Sequence, residues 1–379
     1  MKKKLSVAAG ILLTALSAAA AMPQYDLIPS PAPVSSYGDI TRLSVRSENL
    51  GGDVIIDVWT PKGYEASASE GYPVVYAHDG QNLFDASYCF AGVPWGIDKG
   101  CSLLSRTGDF TMPIIVGINN RGASGLRPND YFPENALEYI STDDKDKTYI
   151  YKTCPKGFLG NEEAAFVVEE LKPLVDHLYN TAPQRETTFA IGSSMGGLAS
   201  MYLLCEYPEI FGGAACMSTH WIGSLDLNPD YTMNDDEVCA NAILEYLEEN
   251  LPSAGSHRLY MDQGTKDWDA GYLKYEARAR EIARGKGYTE ENGHLFVYDA
   301  KGAGHNEWYW QQRITVPLKF LLSKGAIGSA GIPVMGSEME NTPGDRHVCD
   351  LTGKRYSISD FERLPAGIYI LDGKKKMKK

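Results

Sequence analysis

Short, continuous apolar runs recur along this chain, and stretches with helical spacing lie between them. The runs are Asp53–Trp59, Tyr72–His78, Met112–Ile118, Thr187–Ile191, Gly213–Ser218, Arg258–Met261 and His294–Tyr298. Runs that are apolar without alternation suit strands buried on both faces. Helical spacing appears over Glu163–Tyr179, Leu198–Cys205 and Tyr272–Arg284. Strands alternating with helices predict an α/β architecture: a mostly parallel central sheet with helices on both faces. Residues 22–50 read as a polar, proline-containing lead-in. Residues 219–256 carry no strong strand signal and are expected to form an insertion, a cap over the carboxyl edge of the sheet.

The two ends have a different texture. Lys2-Lys3-Lys4, the apolar run Leu5–Leu16 and the small residues Ser17–Ala21 match a secretory signal peptide over residues 1–21. The apolar run is short for a bilayer span. The expected mature protein is therefore exported without a membrane span, to the periplasm, the cell surface or the medium. Residues 325–345, rich in Gly, Ser, Pro and Glu, read as a linker. Residues 346–379 hold two β-type runs, Val348–Arg355 and Leu364–Lys375, too short to bury a core of their own. This tail resembles the C-terminal sorting segments of type IX-secreted bacterial proteins, which would make secretion machinery a partner. The main domain is then 22–324.

Composition narrows the partners. The 379 residues carry a formal net charge of −13, which disfavours nucleic acid. An exported chain can form disulfides, and Cys89 with Cys101, flanking one loop, is the expected pair. Cys205 and Cys216 read as buried thiols. The seven cysteines are an odd number, so at least one cannot pair within the chain. No C-x-x-C or histidine cluster points to a metal.

The densest chemistry lies at Gly192-Ser193-Ser194-Met195-Gly196, a G-x-S-x-G pattern between a strand and a helix. That context presents a serine on a sharp turn, where only small flanking residues fit. A serine hydroxyl is a weak nucleophile, so it needs a base, and the base needs a carboxylate partner. His305, behind the turn Gly302-Ala303-Gly304 after the last strand, is the expected base. Asp267, in the loop after Arg258–Met261, is the favoured acid. Asp262 and Asp269 are its rivals. The backbone N–H of Met195 and that of Gln81, in the loop His78-Asp79-Gly80-Gln81-Asn82, are expected to form the oxyanion hole. Asp79 is assigned no catalytic role, because its charge would oppose an oxyanion unless it pairs.

Four segments together carry a resemblance: Tyr76–Phe84, Gly192–Gly197, Gly264-Thr265-Lys266-Asp267 and Gly304-His305. Over roughly residues 40–325 the chain resembles the esterase D / enterochelin-esterase-like superfamily, which includes the carbohydrate esterases of family 1. The resemblance implies an α/β-hydrolase fold, and Ser194, Asp267 and His305 as nucleophile, acid and base. It also supports the Gln81 and Met195 amides as oxyanion donors. Members of the superfamily act on feruloyl and acetyl esters of xylan, siderophore trilactones, S-formylglutathione and mycolyl esters, so fold alone does not name a substrate.

Tryptophans add a hint. Trp95, Trp221, Trp268 and Trp308 lie near the expected site in sequence, and aromatic walls suit a phenolic or sugar ring. Packing of the loops would explain the same indoles. Arg121 and Arg127 could hold a polar acyl or sugar group, or form salt bridges. The expected activity is a cofactor-free serine carboxylesterase acting on ester-decorated plant polysaccharides or oligosaccharides, feruloyl ahead of acetyl. A siderophore trilactone esterase and a non-catalytic carbohydrate-binding module on the same fold are the alternatives.

Overall fold

The computed structural model describes residues 22–90 and 92–324, and in the tail the strands between 347 and 378. The expected signal peptide and linker lie outside the described residues. Nine strands form one sheet: β1 (Tyr25–Leu27), β2 (Gly38–Ser47), β3 (Gly52–Pro61), β4 (Val74–His78), β5 (Ile114–Ile118), β6 (Thr188–Ser193), β7 (Gly213–Met217), β8 (Arg258–Gly264) and β9 (Leu295–Ala300). Their order is β1-β2-β3-β5-β4-β6-β7-β8-β9. From β5 to β9 all pairs are parallel, while β1, β2 and β3 join antiparallel at one edge. This is the α/β-hydrolase type of sheet that the sequence leads one to expect.

The helices are α1 (Ile97–Leu104), α2 (Arg127–Tyr131), α3 (Ile150–Thr153), α4 (Gly160–Ala165), α5 (Lys172–Leu178), α6 (Met195–Glu206), α7 (Glu237–Asn250), α8 (Trp268–Gly285), α9 (Glu307–Arg313) and α10 (Thr315–Leu322). They cover both faces of the sheet. Alternate residues of each strand enter different cores. Val74, Tyr76, Ala190, Ala214, Cys216, Leu259 and Met261 pack with residues of α6, α7 and α8. Val75, Ala77, Phe189, Ile191, Ala215 and Tyr260 pack with residues of α1 and α10. Two covered faces explain why these strands read as unbroken apolar runs. Each large aliphatic side chain so buried contributes ~1.5–3 kcal/mol. Residues Met195–Cys205 of α6 are buried all round, as expected of a helix wedged between the sheet and other helices.

Three expectations change. The lead-in contains β2, a ten-residue strand whose buried Leu43, Val45 and Ser47 alternate with more exposed neighbours. It lies near the sheet edge, and its Arg42 forms a two-pronged ion pair with Asp57 of β3, at 2.7 and 2.8 Å. The region 219–256 is not wholly an insertion, because α7 is the crossover helix between β7 and β8. Its Ala240, Ile243, Leu244 and Leu247 lie in the core. The loop before α7 reaches α8, where the Tyr231 carbonyl accepts from Trp268 Nε1 at 2.8 Å. Finally, Cys89 and Cys101 do not form a disulfide. Cys101 is a thiol buried in the α1 core, whereas the Cys89 thiol donates to the Asp85 carbonyl at 3.1 Å. Cys205 and Cys216 are buried thiols, as expected. The tail forms four short antiparallel strands, β10 (His347–Asp350), β11 (Arg355–Ser357), β12 (Gly367–Leu371) and β13 (Lys374–Lys378), in the order β11-β10-β12-β13.

Candidate active site

The turn between β6 and α6 has the geometry its glycines predict. Ser194 adopts φ 57° and ψ −126°, a conformation non-glycine residues rarely take. A side chain at Gly192 would collide with the backbone of Gly196, so only glycine lets the helix approach the strand this closely. The Ser194 N–H donates to the Met217 carbonyl of β7 at 2.9 Å, which locks the turn against the sheet. Ser194 is 7% exposed, so its hydroxyl is reachable but mostly shielded.

Ser194 Oγ lies 2.8 Å from His305 Nε2. His305 sits between β9 and α9, just before the helix cap Asn306. Its Nδ1 lies 2.6 Å from Oδ1 of Asp269, not of Asp267. Asp269 is the second residue of α8 and is 0% exposed. Its other oxygen accepts from Ser218 Oγ at 2.7 Å and from the Gly264 N–H at 2.6 Å. Burial alone would raise its pKa. The facing His305, these hydrogen bonds and Arg313 outweigh that and hold it below the usual carboxylate value.

Asp267 instead occupies the cap position of α8, at φ 55° and ψ −136°, and is exposed. Its carboxylate lies against Gly304, where a Cβ would collide with it. Two positions along a helix rotate a side chain by more than half a turn, so Asp267 and Asp269 face opposite ways. Asp262 is buried under the site, where Arg313 donates to both its oxygens at 2.9 Å. It also accepts from Tyr260 Oη at 2.7 Å and the Ser218 N–H at 3.0 Å. Arg313 donates as well to Ser218 Oγ at 2.7 Å. Asp262, Arg313 and Ser218 thus form a fixed chain that orients Asp269.

The two expected oxyanion donors lie on turns at the carboxyl ends of neighbouring strands. Gln81 is in the turn after β4, and Met195 is the first residue of α6. Neither N–H has a hydrogen-bond acceptor among the described residues. The charge of Asp79 is answered by Arg127, whose Nε and Nη2 each lie 2.7 Å from the carboxylate, and by Asn120 Nδ2 at 2.5 Å. Burial would lower the Arg127 pKa, but Asp79 raises it overall. Arg121 is likewise committed, to both oxygens of Asp130 and to the Leu50 carbonyl.

The tryptophans divide. Trp95 and Trp221 are both 0% exposed and cannot touch a substrate in this state. Trp95 packs edge-on against Trp310, and Trp221 Nε1 donates to the buried Glu276 at 2.6 Å. Trp308 is exposed and packs on Tyr309. Trp268 is half-buried, with its ring centroid 5.5 Å from that of His305. Sequence reasoning missed the other two rings around the imidazole, Tyr272 at 5.6 Å and Trp310 at 5.1 Å. Helical spacing carries the signal for both: Tyr272 lies three residues after Asp269 on α8, and Trp310 is on α9 just past His305. It also passed over His220, whose Nδ1 accepts from Tyr272 Oη at 2.6 Å and whose Nε2 donates to the Ser224 carbonyl at 3.0 Å. Burial, reinforced by His305, pushes the His220 pKa down to about 3, so it stays neutral behind the site.

A serine, histidine and carboxylate joined by two short hydrogen bonds, on the carboxyl edge of a parallel sheet, define the serine-hydrolase class of α/β proteins. Residues 47–321 match the family described as "Putative esterase", and the chain belongs to that family. It is an ester-hydrolysing enzyme. The protein YbbA of Bacillus subtilis (strain 168) is 23% identical over 285 residues, covering 73% of this chain and 96% of that one. Among solved structures, a ferulic acid esterase superposes with a TM-score of 0.53 at 18% identity, covering 76% of this chain and 98% of that one. The enterobactin esterase FES from Shigella flexneri, in the presence of enterobactin, superposes with a TM-score of 0.54 at 16% identity. There the match covers 76% of this chain and 60% of that one. At such identities these likenesses speak for the fold.

Proposed function

We propose that this protein is an exported serine carboxylesterase that removes ester substituents, feruloyl ahead of acetyl, from plant polysaccharides or their oligosaccharides. The observation that carries the reading is the hydrogen-bonded chain Ser194–His305–Asp269. Ser194 Oγ attacks the ester carbonyl while His305 Nε2 takes its proton. Asp269 holds the imidazole in the required tautomer and stabilises the imidazolium. The Gln81 and Met195 amides receive the oxyanion. His305 then protonates the departing alkoxide, and water activated by the same histidine cleaves the acyl-enzyme. Side chains, backbone amides and water complete every step.

The substrate class is supported by the aromatic rings around His305 and by the fold shared with a ferulic acid esterase. The fold shared with an enterobactin esterase supports a trilactone as the second reading. A purely binding role is disfavoured by a triad that is hydrogen-bonded at both joints. Residues 1–21 support export, and the tail 346–379 supports a sorting role.

The test is paired release of ferulate and acetate from arabinoxylan oligosaccharides by the mature protein, with Ser194→Ala as the blank. Serine-dependent release of either acid is the expected result and names the acyl group. Hydrolysis of a generic aryl ester without release of either acid would reject the polysaccharide and favour the lactone.

A further inference from the structure

Asp267 has the residue type and position expected of a triad acid, but His305 Nδ1 pairs with Asp269 instead. The Asp267 carboxylate has no hydrogen-bond or ionic partner among the described residues. Yet it is held in a backbone conformation, φ 55° and ψ −136°, that costs a non-glycine residue about 1–3 kcal/mol. It lies against Gly304, next to His305. The following residue, Trp268, is the half-buried ring of the three that surround the imidazole. Tyr272 and Trp310 are buried. The indole is held in place, since Trp268 Nε1 donates to the Tyr231 carbonyl at 2.8 Å in the loop before α7.

Sheet order says which part of an ester meets this corner. Gln81 follows β4, on one side of the strand β6 that carries Ser194, and Met195 adjoins Ser194 itself. Asp267, Trp268 and His305 come from the ends of β8 and β9, to the other side. With the carbonyl oxygen turned toward β4, the leaving oxygen faces His305 Nε2, which must protonate it. The alcohol attached to that oxygen therefore extends toward Asp267 and Trp268.

We propose that Asp267 and Trp268 form the subsite for the alcohol half of the ester, and that this alcohol is a sugar ring. An indole face covers the C–H face of a ring. A bare carboxylate accepts hydrogen bonds from neighbouring hydroxyls, and charge assistance makes these stronger than neutral ones. A simple alcohol offers neither group. The subsite rests on the esterase reading above and adds recognition of the leaving group to it.

The test compares one acyl group on two alcohols, methanol and a pentose hydroxyl. In the wild type and in Asp267→Gly and Trp268→Phe, kcat and KM are measured for both esters, with Ser194→Ala as the blank. Glycine accepts φ 55°, so Asp267→Gly removes the carboxylate without disturbing the turn. The expected result is that the ratio of kcat/KM for the sugar ester to that for the methyl ester falls about tenfold in Asp267→Gly, through KM. A smaller fall is expected in Trp268→Phe, which keeps an aromatic face. An unchanged ratio in both variants overturns the subsite, even where both rates drop together, since that pattern marks packing support of His305. Lack of Ser194-dependent turnover on both esters in the wild type overturns the esterase reading and the subsite with it. Normal methyl-ester turnover with an unchanged ratio overturns the subsite alone.

Discussion

Two strand-to-helix turns at the same edge of the sheet have nearly the same backbone and do different things. Between β6 and α6, Ser194 sits at φ 57° and ψ −126°; between β8 and α8, Asp267 sits at φ 55° and ψ −136°. In the first turn the strained residue is mostly buried and its hydroxyl meets His305. In the second it is exposed, and the residue that meets His305 lies two positions later, inside the helix. A strained cap presents a side chain at the edge of the sheet. Whether that side chain reacts depends on which loop arrives opposite it. His305 arrives with Nε2 on Ser194 and Nδ1 on the buried side of α8, which leaves the Asp267 carboxylate outside.

The largest effects should come from breaking the first turn. Ser194→Ala and His305→Ala should each lower kcat by about 10⁴–10⁶-fold, measured on an aryl ester. Next, Asp269→Asn should cost about 10⁴-fold by leaving the imidazole in the wrong tautomer. Asp267→Asn should stay within about tenfold on the same small ester. The reverse ranking would return the acid to Asp267.

Beneath the second turn, Arg313→Leu leaves Asp262 buried without its cation. It should cost about 3–5 kcal/mol in urea unfolding, and a loss under 1 kcal/mol would show that the Asp262–Arg313–Ser218 chain is not needed to hold the turn.

The two turns are bridged by His220, whose backbone N–H donates to the Ser194 carbonyl at 3.1 Å and whose ring meets Tyr272 of α8. Its folded pKa, about 3, lies below the unfolded value of about 6.5. The unfolded chain therefore binds a proton that the folded chain refuses. Stability should fall as pH drops from about 6.5 toward 3, by a few kcal/mol in all. His220→Gln should flatten that part of the unfolding-versus-pH curve, and an unchanged slope would show that the histidine is not held neutral. The smallest effect is at Asp267 itself. Asp267→Gly relieves the positive φ and should stabilise the fold by about 1 kcal/mol, read as a small rise in the urea midpoint. A loss of stability would mean that the carboxylate has a structural partner.

Local pattern alone determined much of this protein. The parallel strands are legible because both their faces are covered, so the residues along them are mostly apolar. Ser194 is legible because a tight elbow admits only glycine at Gly192, and His305 because a glycine turn follows the last strand. Residues that depend on distant partners were not legible. The strand β2 reads as polar because it lies near an edge and pairs Arg42 with Asp57 across the ladder. The helix α7 looks like part of a cap until β7 and β8 are seen to need a crossover. Trp95 and Trp221 read as site walls because sequence proximity to a motif does not reveal burial. The choice among Asp262, Asp267 and Asp269 was decided only by the tertiary structure. Three carboxylates within eight residues differ little in local sequence. The rotation of α8, the Arg313 beneath Asp262 and the loop that carries His305 send one to the core, one to solvent and one to the imidazole.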